Sequence, residues 1–300
     1  MKKYLIFFAF ITYALSVKAQ DTIIMRDATR IEVKVVEITN TEIVYKKWNY
    51  QDGPSIRVVF NKIYNILYAN GDKWYSELSY WPNYVYDIDG NSYSAVQIGK
   101  QIWMGSNLRT KHFSDGSELP INQKHSSVTE PRCYDILSDD KNSKDIGNMN
   151  NEEIGLYYNF VATIDERGLC PEGWHVPSDA EWETLVRYLK DTPELQLGGS
   201  EAKALASIEG WVPDIDNGTV GNNPSFNNAV FFRAFPAGSI NHNKLINVGQ
   251  KACYWSSTQV NDMSNNQMAD ARILEHDEGK FELCRRFRDY GFSVRCIKDN

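Results

Sequence analysis

The chain has 300 residues, 42% of them hydrophobic and 24% charged, with a formal net charge of −7. That length makes roughly two domains, and the balance excludes a largely disordered protein. An acidic total also excludes a phosphate-binding protein, which needs a clustered basic face, so nucleic acid is not an expected partner.

The N-terminus reads Met1-Lys2-Lys3, then an apolar run from Tyr4 to Leu15, then Ser16-Val17-Lys18-Ala19. A basic start, a short apolar centre and a small residue at Ala19 are the pattern of a secretory signal peptide over residues 1–19. The run is shorter than the ~20 residues of a membrane span. No cysteine follows Ala19 to take a lipid, and no later stretch is apolar enough to cross a bilayer. The expectation is export to the periplasm, cell surface or medium, with no transmembrane segment and with disulfides permitted.

Charge then divides the chain. Lys2, Lys3 and Lys18 leave with the leader, and Asp21–Trp81 holds eight basic and eight acidic residues, so the remaining −10 lies after Trp81. Trp81-Pro82-Asn83 adds a backbone break at that point. The expected domains are therefore 20–82 and 83–300.

The first is β-patterned. Ile31–Val35 alternates apolar and polar, Glu42–Trp48 is rich in β-branched and aromatic residues, and Asp52-Gly53-Pro54 turns the chain into Ser55–Phe60. Asn70-Gly71 predicts a hairpin between Ile66–Ala69 and Lys73–Tyr75. A small barrel or meander is expected. It resembles the short β-domain that follows the signal peptide in exported Bacteroidetes proteins.

The second segment opens on Asp87-Ile88-Asp89-Gly90-Asn91, which is turn chemistry, and a hairpin through Ile98 and Ile102–Met104. The start of this turn mimics a calcium loop, but Ile98 occupies the position that needs a bidentate carboxylate. Residues 111–151 are polar and aperiodic and read as surface loops. Ser178-Asp179-Ala180-Glu181 is a capping box, and Trp182, Leu185, Val186 and Leu189 follow on one helical face. A shorter helix is expected over Glu201–Ile208, between Ser200 and Gly210. Strands are expected at Val230–Phe235, Cys253–Thr258, Ala269–Glu275, Lys280–Arg286 and Phe292–Ile297. Helices early and strands late make an α+β domain.

Blocks along this segment carry a signature: Ile98-Gly99-Lys100-Gln101-Ile102-Trp103-Met104, Gly155–Asn159, Gly168-Leu169-Cys170-Pro171-Glu172-Gly173-Trp174-His175-Val176-Pro177-Ser178, Phe235–Gly238, Tyr254–Thr258 and Gly291–Cys296. Together they resemble the Fibrobacter succinogenes major paralogous domain family over about residues 84–298. The resemblance implies a C-type-lectin-like fold, more distantly similar to the formylglycine-generating enzyme. It implies an exported or surface protein and a scaffold, without naming a reaction.

Five cysteines are present, Cys133, Cys170, Cys253, Cys284 and Cys296. Two bridges among them can be drawn fifteen ways, so sequence alone does not choose. The lectin-like resemblance implies Cys170–Cys296 and a nested Cys253–Cys284; Cys284 and Cys296 facing each other across the Asp289–Gly291 turn is the competing pairing. The enzyme of that scaffold uses two closely spaced cysteines, whereas the closest pair here is twelve residues apart. His175 near Cys170 suggests a Cys–His nucleophile, against which a disulfide is the better reading in an exported chain.

No catalytic residue, metal ligand or cofactor is assigned. The Glu-Pro-Asn and Trp-Asn-Asp motifs that bind calcium in lectins are missing, and no histidine pair has metal-ligand spacing. Candidate binding residues are the loop asparagines Asn217, Asn222, Asn227, Asn228, Asn241 and Asn243, set against loops that only connect strands. Arg285, Arg286 and Arg288 form a candidate patch for an anionic ligand, or a solvated strand edge. Trp174, Trp182 and Trp255 form a stacking platform or belong to the core. The expected role is binding or adhesion at the bacterial envelope, toward a glycan or protein. An enzyme on the related scaffold, with Cys253 or Cys284 free in a cleft, and a structural envelope component are the alternatives.

Overall fold

The computed structural model describes residues 20–25, 30–39, 42–59, 63–70, 72–75, 84–121, 129–136, 151–196, 199–259 and 267–299. The expected signal peptide and the Trp81-Pro82-Asn83 break lie outside the described residues. The chain divides into two compact units, Met1–Ser76 and Glu77–Asn300.

The first unit is one antiparallel sheet of six strands: β1 (Asp21–Met25), β2 (Arg30–Ile38), β3 (Glu42–Lys47), β4 (Ile56–Val59), β5 (Ile63–Leu67) and β6 (Lys73–Tyr75), in the order β4-β3-β2-β1-β5-β6. β1 was not expected; its Thr22-Ile23-Ile24 run is too short to show alternation, yet it sits centrally between β2 and β5. Ile23, Val33, Ile43, Ile63 and Ile66 are fully buried. Asp21 ties the sheet across strands, accepting hydrogen bonds from the backbone of Val35 and Ala69.

In the second unit strand outweighs helix. Its elements are β7 (Tyr84–Tyr86), β8 (Ser92–Ile98), β9 (Gln101–Met104), β10 (Cys133–Tyr134), α1 (Asn151–Ile154), β11 (Tyr157–Tyr158), α2 (Phe160–Thr163), β12 (Trp174–His175), α3 (Asp179–Lys190), α4 (Glu201–Leu205), β13 (Ser239–Asn241), β14 (Lys244–Ile246), β15 (Lys251–Trp255), β16 (Met268–Glu275), β17 (Phe281–Phe287) and β18 (Ile297–Lys298). Sheets of order β12-β18-β9-β8-β7 and β15-β16-β17 are joined by the pairs β10-β11 and β13-β14.

Helix α3 follows its sequence closely. Ser178 accepts from the Glu181 backbone while the Glu181 carboxylate takes the Ser178 N–H, satisfying two orphan donors. Its apolar face carries Trp182, Leu185, Val186 and Leu189 into a core with Trp103, Phe232, Tyr254 and Phe281, where Trp103 and Trp182 stack at 4.6 Å between centroids. The helix is also pinned to β16, because buried Arg272 donates to Asp179 at 2.6 Å.

Three expectations are corrected. Val230–Phe235 is buried except at Arg233 but is no strand: the N–H groups of Asn228, Val230 and Ala234 are used on the carbonyls of Lys203, Ala204 and Leu205, the orphan carbonyls at the end of α4. Helix α4 accordingly ends at Leu205, short of Ile208. The polar stretch 111–151 is not all surface. Arg132–Ile136 is buried, and Asn159 binds it by accepting from Arg132 N–H and donating to the Glu130 carbonyl.

Candidate functional site

The disulfide joins Cys170 to Cys296, with Cα atoms 6.0 Å apart. Cys133, Cys253 and Cys284 are free. The expected Cys253–Cys284 bridge is corrected by strand register. Cys253 on β15 faces Ile273, and Cys284 on β17 faces Ala271, so β16 lies between them. Two strand spacings, about 9.5 Å, exceed the reach of a disulfide. The competing Cys284–Cys296 pairing falls because Cys296 is spent on Cys170.

Five of the six candidate asparagines serve the scaffold. Asn227 is fully buried and donates to the carbonyls of Ser207 and Val220, which removes it as a ligand contact. Asn228, at φ 65°, accepts from Arg233 N–H. Asn241 donates to the Tyr290 hydroxyl, and His242-Asn243, both at positive φ, form the two-residue turn between β13 and β14. Asn222 reaches the Asp214 carbonyl, while its own carbonyl accepts from Lys203 Nζ. Lys203 is buried, and desolvation pulls its pKa down to about 8. Asn217 is exposed on the same loop.

Arg285 and Arg286 on β17 and Arg288 just past it are not brought together. Neighbours on a strand point to opposite faces, Arg285 is paired with Asp270 at 3.1 Å, and Arg288 lies 4.9 Å over the Phe160 ring. Trp182 and Trp255 are fully buried and Trp174 partly so; the first two are core. Nor does the Asp87–Asn91 turn offer its carboxylates outward. Asp87 accepts from the backbone of Asp89 and Asn91 and from the Tyr93 hydroxyl, and Asp89 from Thr110, Lys111 and His112. Among the described residues no cluster of His, Cys, Asp and Glu suits a metal ion.

What converges instead is a cleft of about 380 Å³ lined by Tyr84, Ser92, Ser94, Gly105, Ser106, Arg109, Glu153, Ser207, Arg233 and Phe235. Its lining brings together two arginines, one glutamate and four serines. Its floor needs glycine at position 105, where a Cβ would come within 2.3 Å of Ser94 Oγ.

Each arginine is held by a different device. Arg109 donates its backbone N–H to the Tyr93 hydroxyl and a guanidinium N–H to the Ser92 carbonyl, and lies 4.8 Å over the Tyr93 ring. Arg233 is exposed, but its backbone sits at φ 52°, two residues after Phe231 at φ 60°. Such left-handed geometry in non-glycine residues costs on the order of 1–3 kcal/mol each and persists only where surroundings enforce it.

Arg295 is the enforcer. Fully buried, it donates to the carbonyls of Phe232, Arg233 and Met104, to Asn107 Oδ1 at 2.7 Å and to the Tyr254 hydroxyl, with its guanidinium 4.3 Å over the Phe232 ring. Burial lowers its pKa to about 10, which leaves it charged at neutral pH. Neither Arg109 nor Arg233 makes an ion pair among the described residues.

Residues 96–298, about two thirds of the chain, match the Fibrobacter succinogenes major domain. The chain belongs to that family. No curated protein and no solved structure matches it. Within the family domain the most specific sequence blocks are structural: Cys296 is bridged, Arg295 fastens the Phe232–Arg233 loop, and Phe292 and Ser293 form bridges to Tyr158 and Tyr254. Tyr84, Ser92 and Ser94 on the cleft precede the matched residues.

No sequence motif pointed to Tyr84, Ser92, Ser94, Ser106, Arg109, Glu153 or Arg233. The readable signal was a row of small hydroxyls opposite tyrosines in the β7–β8 hairpin, since Tyr84 pairs with Ser94 and Tyr86 with Ser92.

Proposed function

We propose that this is an exported binding protein of the bacterial envelope, with a C-type-lectin-like domain that holds a glycan in the Arg109–Arg233 cleft without transforming it. The observation that carries this reading is the cleft itself. It gathers hydroxyls and two arginines, and converging polar groups in a concave site are what orient a polar ligand. Export is supported by the leader pattern and by a disulfide, which persists in oxidising compartments. The lectin-like reading is supported by a bridge from the segment before α3 to the chain's last strands, with β12 laid antiparallel to β18. No helix among the described residues is long and apolar enough to cross a membrane.

Binding is favoured over thiol catalysis by the state of the free cysteines. Burial raises the Cys133 thiol to about 12 and Cys284 to about 11, and lifts Cys253 well above the ordinary thiol range. A nucleophilic cysteine needs the opposite shift, and none of the three lines the cleft.

The test is a glycan array probed with residues 20–300, with and without EDTA, beside the Ser94→Trp variant, whose indole fills the cleft. The expected result is a defined set of bound glycans, unchanged by EDTA and lost in the variant while its thermal melt is kept. A blank array, or the same glycans held by the variant, overturns the reading.

A further inference from the structure

We propose that the cleft selects an acidic saccharide chain, with the carboxylate of one sugar on Arg109 and Arg233 and the neighbouring ring on Tyr86; this rests on the cleft being the binding site.

Charge is the first argument. The chain after Trp81 carries a formal −10, which repels anions at long range. Against that background the cleft presents two guanidiniums and one carboxylate, Glu153. A local reversal of sign in an acidic domain favours a ligand with a discrete negative group over a neutral one. Arginine is suited to a planar carboxylate, because its donors form a rigid fork. Arg109 has one guanidinium N–H engaged on the Ser92 carbonyl and retains others. Arg233 is exposed, and Arg295 and Asn228 hold its backbone, so only its side chain has to be ordered on binding.

The hydroxyl lining is the second argument. Ser92, Ser94 and Ser106 each offer a donor and acceptor, matching the hydroxyls around a sugar ring. A peptide carboxy-terminus would bring one carboxylate and no such run of hydroxyls.

The third is the strand edge. β7 is the outer strand of its sheet, and Tyr84 and Tyr86 stand on one face of it, 54% and 62% exposed. Residues two apart on a strand are separated by about 6.6 Å, and the residues opposite them are the small Ser94 and Ser92. Two tyrosine rings therefore rise beside a low serine trough that leads out of the cleft, a shape suited to successive rings of a chain. Rings of this kind present an apolar face and a polar edge, which suits sugar.

The experiment is isothermal titration of residues 20–300 with trimers of galacturonic, glucuronic and mannuronic acid, their methyl esters, a sulfated chondroitin tetrasaccharide and trialanine. At least one uronate trimer is expected to bind, about tenfold or more tighter than its ester, and more weakly as salt rises. Arg109→Gln and Arg233→Gln should shrink that acid-to-ester ratio, Arg233→Lys should not restore it, and Tyr86→Ala should weaken acid and ester alike. Equal binding of acid and ester, or an unchanged ratio in both arginine variants, overturns acid selection while leaving the cleft as the site. Stronger binding of the sulfated probe or of trialanine overturns the carboxylated-sugar assignment, as does silence from all three uronates. Retained binding in Ser94→Trp overturns the underlying reading instead.

Discussion

Arg295 does more for this molecule than any residue that lines the cleft. It holds two backbone carbonyls of a strained loop, a carbonyl of β9, an asparagine and a tyrosine, all out of water. Leaving buried acceptors unpartnered costs about 1–3 kcal/mol each. Arg295→Met should therefore lower stability by about 3 kcal/mol or more in denaturant unfolding, and release Arg233 from its left-handed backbone. A variant within ~0.5 kcal/mol of the wild type contradicts this role. The sequence marked Arg295 only as a member of the Gly291–Cys296 block. What it touches lies 41 to 191 residues away, beyond any local pattern. The asparagines were read by composition as adaptable ligand donors. The structure uses Asn228 and Asn243 at positive φ, which asparagine tolerates better than most residues, and turns the side chains of Asn222, Asn227 and Asn228 onto backbone.

At the scale of elements, the clearest match is α3, where cap and apolar face are local and both were legible. Its N-terminus also carries a pH-sensitive clamp. His175 on β12 sets Nδ1 2.6 Å from Asp299 and Nε2 2.9 Å from Glu181, the residue that completes the capping box. Both ring nitrogens donate to carboxylates only as imidazolium. Burial disfavours that charge, but the hydrogen bonds to Asp299 and Glu181 outweigh it and raise the His175 pKa. Burial likewise opposes ionisation of Glu181, and the Ser178 N–H and hydroxyl with His175 outweigh it and lower its pKa. A raised histidine contributes stability below its unfolded pKa, which is lost as pH rises through the folded value; the lowered glutamate contributes above its unfolded pKa. The clamp is therefore strongest between about pH 5 and 6 and fades through neutrality. Partial exposure keeps its worth within the ~0–1 kcal/mol of solvated pairs. The difference in melting temperature between wild type and His175→Gln should be greatest near pH 5.5 and shrink as pH rises; a gap that widens with pH contradicts it. Val230–Phe235 shows the opposite case. Its apolar β-forming residues predicted a strand, and only the unmet carbonyls of α4 explain why the segment closes a helix end instead.

For the whole molecule, two units of unequal size follow from the composition shift and the different patterning of the two segments, while their internal sheet orders do not. β1 entering between β2 and β5 is a long-range choice made by burial of Ile23. The Cys170–Cys296 bridge spans 126 residues, so in the chain-entropy model its loss costs about 4–5 kcal/mol. The paired Cys170→Ser, Cys296→Ser variant should melt well below the wild type, whereas an unchanged melt would mean that the core around Val294 and Leu169 suffices. The family signature encodes this frame, and the proposed site lies largely beside it, in arginines, serines and a tyrosine edge that no short motif describes. Amide hydrogen exchange of residues 20–300, with and without a saturating uronate trimer, tests that placement most directly. Protection should be confined to Tyr84–Ser94, Met104–Arg109 and Asn228–Phe235. Protection centred on residues 214–223, on the β13–β14 turn or on β17 would contradict it.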